Sequence, residues 1–387
     1  MLRLQSTDQW GTYHVGECAF FSKLEAVMYS RHSGKPVTWQ YMRDTFKRYN
    51  WTQEPTQSLW ELYSQRARQL REKYAYIMLM YSGGADSTNV LKVFESNNLH
   101  IDEIRMGYAG DISNANSLNI EPNQEIYHAA LPRVRELQKK WPNLKVTVVD
   151  MNPLMVKRVC EQTESLHYGT NSAWNPWQAV RFGISTLNDL DWLPKLNGDK
   201  SMAVLWGKDK TRITKAQGRY AVEFQDVDLH GNIEELPDNC KHEYFYWSLD
   251  SVPLIIKQGH VLKNFLSHSK DPQWFVDNKK FFSRHFDNRW TYNSIQLEGQ
   301  TVFLNNGFYN TIVYPHYDPT IIDTGKAEWR GVGQVVRNAF YKDQNLRRSL
   351  ADYMRQKFLD YTGYAAITDT GAISPMTCSD QPWFLEK

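Results

Sequence analysis

Ser82, Gly83, Gly84, Asp86, Ser87 and Thr88 crowd into the stretch SGGADST at 82–88, directly behind the apolar run AYIMLM at 75–80. Adjacent glycines let a ligand approach the main chain, and successive N–H groups leading into a helix attract anions. The hydroxyls of Ser82, Ser87 and Thr88 add donors. Asp86 does not suit a bare phosphate cradle, because its carboxylate repels the anion. A divalent cation carried with a nucleotide removes that conflict. The competing reading is a tight turn with Asp86 capping the next helix, yet a cap needs one side chain and not this whole set.

A second group, Lys208, Lys210 and Arg212 in LWGKDKTR, follows another apolar run. In an extended segment alternate residues point the same way, so these cations could clamp a polyphosphate and offset the charge that develops on it. A solvated surface loop is the other reading. Asp150 and Asp209 are candidates for metal or substrate contact on the same rim, and each also reads as solvated surface. His242, His260 and His316 have no ligand spacing with cysteine or carboxylate, so a satisfied or exposed histidine is expected at each. EYFYWSLD at 243–250 reads first as core packing, and as acceptor recognition if the C-terminal part closes over a nucleotide.

The elements that must position these residues follow from periodicity. AYIMLM reads as a strand covered on both faces and DSTNVLKVFES as a helix, so the glycine turn lies at the carboxyl edge of a parallel sheet, where ligands of α/β folds collect. Further strands are expected at 101–108, 145–151 and 201–210, with a helix whose apolar side runs Ile126, Ala130, Val134, Leu137 and Trp141. Alternating strands and helices predict an α/β fold, a doubly wound and mostly parallel sheet. Residues 1–74 read as a helical appendage, with a capping box at Ser58 and Glu61 ahead of the stripe Leu59, Tyr63, Ala67, Leu70 and Tyr74. Residues 75–230 are expected to form an α/β domain carrying the nucleotide site, and 231–387 a mixed α+β acceptor region. There VPLIIKQGHVLKNFL and NLRRSLADYMRQKFLDY read as helices, and TVFLNNGFYNTIVY as short strands or a turn.

Composition narrows the classes. A chain of 387 residues that is 41% hydrophobic can build a sizeable core, and 45 basic against 43 acidic residues do not announce nucleic acid or an anionic membrane as partner. A weak pointer to nucleic acid remains in FFSRHFDNRW at 281–290, which mixes arginine with aromatic residues as stacking surfaces do. No apolar stretch approaches the roughly 20 residues of a membrane span, and the first residues do not lead into a signal-peptide core, so a cytoplasmic protein is expected. Cys18, Cys160, Cys240 and Cys378 stand far apart and read as buried free thiols.

The stretch is neither a Walker A loop nor a dinucleotide fingerprint. Ser82-Gly83-Gly84-Ala85-Asp86-Ser87 resembles the Ser-Gly-Gly-x-Asp-Ser signature of the PP-loop ATP pyrophosphatases, the adenine nucleotide alpha-hydrolase-like superfamily. The resemblance covers residues 75 to about 230 and is specific at the loop. It implies a Rossmann-like domain of the HUP type that binds ATP with Mg2+, exposes the alpha-phosphorus to a substrate oxygen, and releases pyrophosphate from an adenylated intermediate. By the same resemblance, Ser82, Gly83, Gly84, Ser87 and Thr88 would hold pyrophosphate, with Asp86 near the magnesium. The nucleoside would lie near Met80, Tyr81, Gly107 and Tyr108. Many members dimerise, and a homodimer stays open as an expectation. Distance from the cellular members suggests a viral or accessory enzyme, which would place it in a host cytoplasm.

Missing motifs choose among the superfamily's reactions. Sulfur-transferring members carry paired or persulfide-bearing cysteines, and phosphoadenylylsulfate reductases a cysteine tail unlike Thr-Cys-Ser-Asp around Cys378. The four-cysteine zinc site of the cyano-deazaguanine synthases is missing too, as is the N-terminal cysteine of glutamine-dependent asparagine synthetases. What remains is adenylation of a carboxylate or carbonyl oxygen, followed by attack of ammonia or an amine on a small-molecule or nucleotide acceptor. The alternatives are a reductase-like or sulfur-transfer member, and an ATP-binding regulatory module without turnover.

Overall fold

The computed structural model describes residues 11–20, 26, 29–30, 32–108, 125–150, 201–207, 211, 213–224, 239–268, 294–297, 300–303, 310, 312–317 and 380–387. The expectations at Lys208, Asp209, Lys210, Arg212, 281–290, 345–361, Cys160 and Cys378 lie outside the described residues.

The N-terminal part corrects the expectation of a helical appendage. Strands β1 (Thr12–Val15), β2 (Cys18–Phe20) and β3 (Val37–Gln40) form an antiparallel sheet in the order β2-β1-β3. TYHV alternates, turning Tyr13 and Val15 inward, and that period of two belongs to a strand. Cys18, on the outer strand of this sheet, is exposed, which corrects the expectation of a buried thiol there. Helix α1 (Leu59–Lys73) forms where its stripe predicts. The Ser58 hydroxyl accepts from the Glu61 N–H at 3.2 Å, and the Glu61 carboxylate accepts from the Ser58 N–H at 2.7 Å. Such a cap stabilises a helix by about 1 kcal/mol.

The central sheet contains β4 (Tyr76–Met80), β5 (Glu103–Tyr108), β6 (Lys145–Asp150), β7 (Met202–Trp206) and β10 (Cys240–Tyr244), with every pair parallel. Strands β8 (Ile213–Ala216) and β9 (Arg219–Val222) form an antiparallel hairpin between β7 and β10. The order across the central sheet is β10-β7-β4-β5-β6. From β4 the chain steps outward to β6, then crosses back and continues through β7 to β10. The direction of winding reverses between β4 and β7, which leaves a crevice above their carboxyl ends. The fold is α/β, with a five-stranded parallel sheet and associated helices.

Alternation divides the sheet residues between two faces. Ile77, Leu79, Ile104, Met106, Ala203 and Leu205 enter one large core. They share it with helices α2 (Ala85–Ser96), α3 (Leu131–Lys140) and α4 (Val252–His268). That core also takes in Tyr13, Trp39 and Leu385, so all three expected segments contribute to it. On the other face Met78, Met202, Val204 and Cys240 form a separate cluster. Burial pushes the Cys240 thiol up to about 12, as expected of an inert buried cysteine. No helix among the described residues is long and apolar enough to cross a membrane.

His242 on β10 accepts a hydrogen bond at Nδ1 from Trp206 Nε1 at 2.9 Å, and burial lowers its pKa from 6.5 to about 3. The folded chain therefore keeps this ring neutral, whereas the unfolded chain protonates it below pH 6.5. Its contribution to stability is complete above pH 6.5 and falls by about 1.4 kcal/mol per unit as pH drops toward 3. Burial lowers His260 in the same direction. His242→Asn, which can keep an acceptor for Trp206, is expected to make the loss of stability between pH 6.5 and 4.5 shallower. Urea unfolding across that interval checks it, and an unchanged slope contradicts it.

Candidate functional site

The glycine turn leaves β4 and enters α2 at the reversal point of the sheet. Its own residues brace it. Ser87 Oγ lies 3.3 Å from the Ser82 N–H, the Ser82 hydroxyl and the Gly84 carbonyl. Thr88 Oγ1 donates to the Gly83 carbonyl at 3.2 Å and contacts the Tyr81 phenol at 3.2 Å. Ser87 and Thr88 are both buried, and their hydroxyls brace the turn from within. Helix α2 begins at Gly84, whose missing side chain leaves the first turn without a side-chain cap. Among the described residues no hydrogen bond takes up the amides of Gly83 and Ala85.

The glycines have different reasons to be there. Gly83 sits at φ +83°, and a Cβ on it would come within 2.8 Å of the Glu125 carbonyl and 3.0 Å of Ala130. Those two residues bound a π-helical turn, Glu125–Ala130, that precedes α3. Gly83 is thus required by the protein's own packing. A Cβ on Gly84 would meet Ser82 Oγ at 3.4 Å and the Glu125 carboxylate at 3.7 Å, ordinary contacts. Packing therefore leaves room for a side chain at this position. Gly207, at the end of β7, is the tightest neighbour: a Cβ there would stand 2.7 Å from Ser87 Cα. The carboxyl end of β7 therefore abuts the head of α2.

Asp86 is half-buried on the first turn of α2. Its Oδ1 accepts from the Tyr314 phenol at 2.5 Å, and its main-chain carbonyl accepts from the Tyr246 phenol at 2.8 Å. Tyr246 in turn accepts from Asn89 Nδ2 at 3.0 Å. Burial, and then the Asp86 charge, hold the Tyr314 proton on the phenol, so it stays a donor. Among the described residues no group of three or more His, Cys, Asp or Glu side chains is arranged to hold a metal. Magnesium needs no such cage, since one or two carboxylates suffice when phosphate oxygens and water complete the shell. Asp86 fits that requirement.

Other expected site residues are placed with less consequence. Met80 and Tyr81 close β4, and Gly107 and Tyr108 close the adjacent β5, so all four lie on one rim. Tyr81 is buried with its phenol on Thr88, which leaves Met80, Gly107 and Tyr108 as the more open members. Asp150 ends β6, opposite Tyr108 and one strand further from the turn. Thr211 is buried, with its N–H on Gln258 Oε1 at 3.0 Å. His260 Nε2 lies 2.9 Å from the Trp51 carbonyl, and the exposed His316 packs its ring edge-on to Trp60. EYFYWSLD is core over 243–248, as first expected, with Phe245, Tyr246 and Trp247 all buried, while Asp250 at its end is exposed.

Glu125, Gly207 and Tyr314 complete the surroundings without having been singled out by the sequence argument, and Tyr246 joins them from the stretch EYFYWSLD. Gly207 could have been found, since it directly follows a strand-like run. Tyr314 carried no signal, because it meets Asp86 across 228 positions of chain. No protein-family model matches this sequence, and no curated protein matches it either.

Proposed function

We propose that the chain binds ATP with Mg2+ at the glycine turn, as a PP-loop enzyme with a HUP-type domain. It adenylates a carboxylate or carbonyl oxygen and releases pyrophosphate. Ammonia or an amine then displaces AMP, forming a C–N bond on a small-molecule or nucleotide acceptor. The observation that carries this reading is the uncapped head of α2, braced by Ser82 and Ser87 at the reversal point of a parallel sheet. Ser82, Gly83, Gly84 and Ser87 would hold the two distal phosphates through amides and hydroxyls, with Thr88 behind them. Mg2+ beside Asp86 would offset the charge of the triphosphate. Lys208, Lys210 and Arg212 follow Gly207 in the chain, and the proposal gives them the part of cationic clamp. Action in the cytoplasm and as a homodimer belongs to the same proposal.

A second reading is favoured by one contact. Tyr314, from the C-terminal part, donates to a carboxylate of the turn, as it would in a module whose partner surface responds to nucleotide. Incubation with labelled ATP and magnesium, across a panel of carboxylates, amines and nucleotides, separates the two. Substrate-dependent pyrophosphate and AMP are expected. ADP and phosphate contradict the enzyme, and tight binding without turnover supports the module.

A further inference from the structure

Three fully buried tyrosines, from three distant parts of the chain, meet over the head of α2. Tyr63 comes from α1, Tyr246 follows β10, and Tyr314 follows a short helical turn at 312–313. Their ring centroids lie 5.6 Å apart for Tyr246 and Tyr314, and 5.8 Å for Tyr63 and Tyr246. Each phenol has a defined task. Tyr63 donates to the Val313 carbonyl at 2.8 Å and accepts from Gln258 Nε2 at 2.7 Å. Gln258 also accepts from the Thr211 N–H, which ties Thr211 to the same chain of bonds. Holding Val313 fixes its neighbour Tyr314. At the far end of the segment, Lys92 Nζ on α2 donates to the His316 carbonyl at 3.0 Å.

Residues 312–317 are therefore pinned on both sides of Tyr314, and a buried side chain held in this way has little rotamer freedom. Its phenol donates to a carboxylate, the stronger class of hydrogen bond. We propose that Tyr314 is a positioning residue of the nucleotide site: by fixing the Asp86 carboxylate, it makes the C-terminal region a part of the site. This rests on the nucleotide reading above. Packing alone would be served by phenylalanine, whereas orientation of Asp86 requires the hydroxyl.

The test is equilibrium ATP binding by the full chain and by Tyr314→Phe, each titrated with Mg2+ and each compared with a sample in EDTA. Circular dichroism and thermal melting report the fold of both. Loss of a charge-assisted bond of this kind corresponds to about tenfold or more in an equilibrium. Tyr314→Phe is expected to need about tenfold more Mg2+ to reach the same ATP occupancy, with the EDTA baseline unchanged. In an Asp86→Asn background the same change is expected to add nothing. Equal Mg2+ dependence of the two proteins overturns the role given to Tyr314, as does a weakening that is the same with and without Mg2+. If the unaltered chain binds no ATP with Mg2+, the nucleotide reading falls and the role of Tyr314 falls with it.

Discussion

Ser87→Ala is expected to lower ATP-dependent pyrophosphate release by at least about 100-fold while the chain keeps its fold, since removing one preorganised donor from a charge-stabilising site has that order of effect. Ser87 Oγ is the atom on which the turn closes, lying 3.3 Å from three groups of Ser82 and Gly84. The contacts are long, so their loss should cost only about 1 kcal/mol of stability. Helix α2 is held elsewhere, by Val90, Leu91, Val93 and Phe94 in the core. A structural serine would therefore give a small change in melting and an equally small change in turnover. Pyrophosphate release and thermal melting, measured on the same preparations, decide the matter. Turnover within twofold of the unaltered protein would remove Ser87 from the site.

The largest loss of stability is expected at Glu243→Ala, about 3–5 kcal/mol, because it strips the partner from a buried cation. Arg66 on α1 has a fully buried side chain, and its guanidinium meets the Glu243 carboxylate at 2.7 Å. Lys73 reaches the other carboxylate oxygen at 3.0 Å, and the Tyr74 phenol donates to it as well. Asp250 also pairs with Arg66 Nη1, at 3.7 Å, but it is half exposed and makes no hydrogen bond to that nitrogen, so it compensates only weakly for Glu243. Burial alone would raise the Glu243 pKa, but Arg66 and Lys73 hold it below the usual carboxylate value of 4.5. This contribution is thus complete above pH 4.5 and is lost as pH falls through the lower folded value. Urea unfolding at neutral pH measures the loss, and Glu243→Gln, which keeps an acceptor without the charge, should fall between. A cost below about 1 kcal/mol would mean that α1 is not locked to β10 by this pair.

What could be known from sequence follows from how local each signal is. AYIMLM, the glycine pair and DSTNVLKVFES lie side by side, so strand, turn and helix were legible with their order. The stripe Ile126, Ala130, Val134 and Leu137 likewise predicted the buried side of the segment containing α3. It gave no hint of the π-helical turn at Glu125–Ala130, which precedes Pro132 and cradles Gly83. The N-terminal strands were missed because each is four residues or shorter, below the length at which alternation stands out from a helical stripe. The contacts of Tyr246 and Tyr314 with Asp86 were illegible for another reason: their phenols meet Asp86 only once β10 and the C-terminal part have been brought to the sheet edge.

The contact between Gly207 and Ser87 ties two remote places in the chain to a common fate. Any side chain at 207 would wedge the helix head away from the strand end, so neither place can drift in evolution without regard to the other. Distant kin should thus be recognisable by a composite template, a serine-glycine turn behind one strand and a lone glycine closing its neighbour, although either half alone recurs by chance.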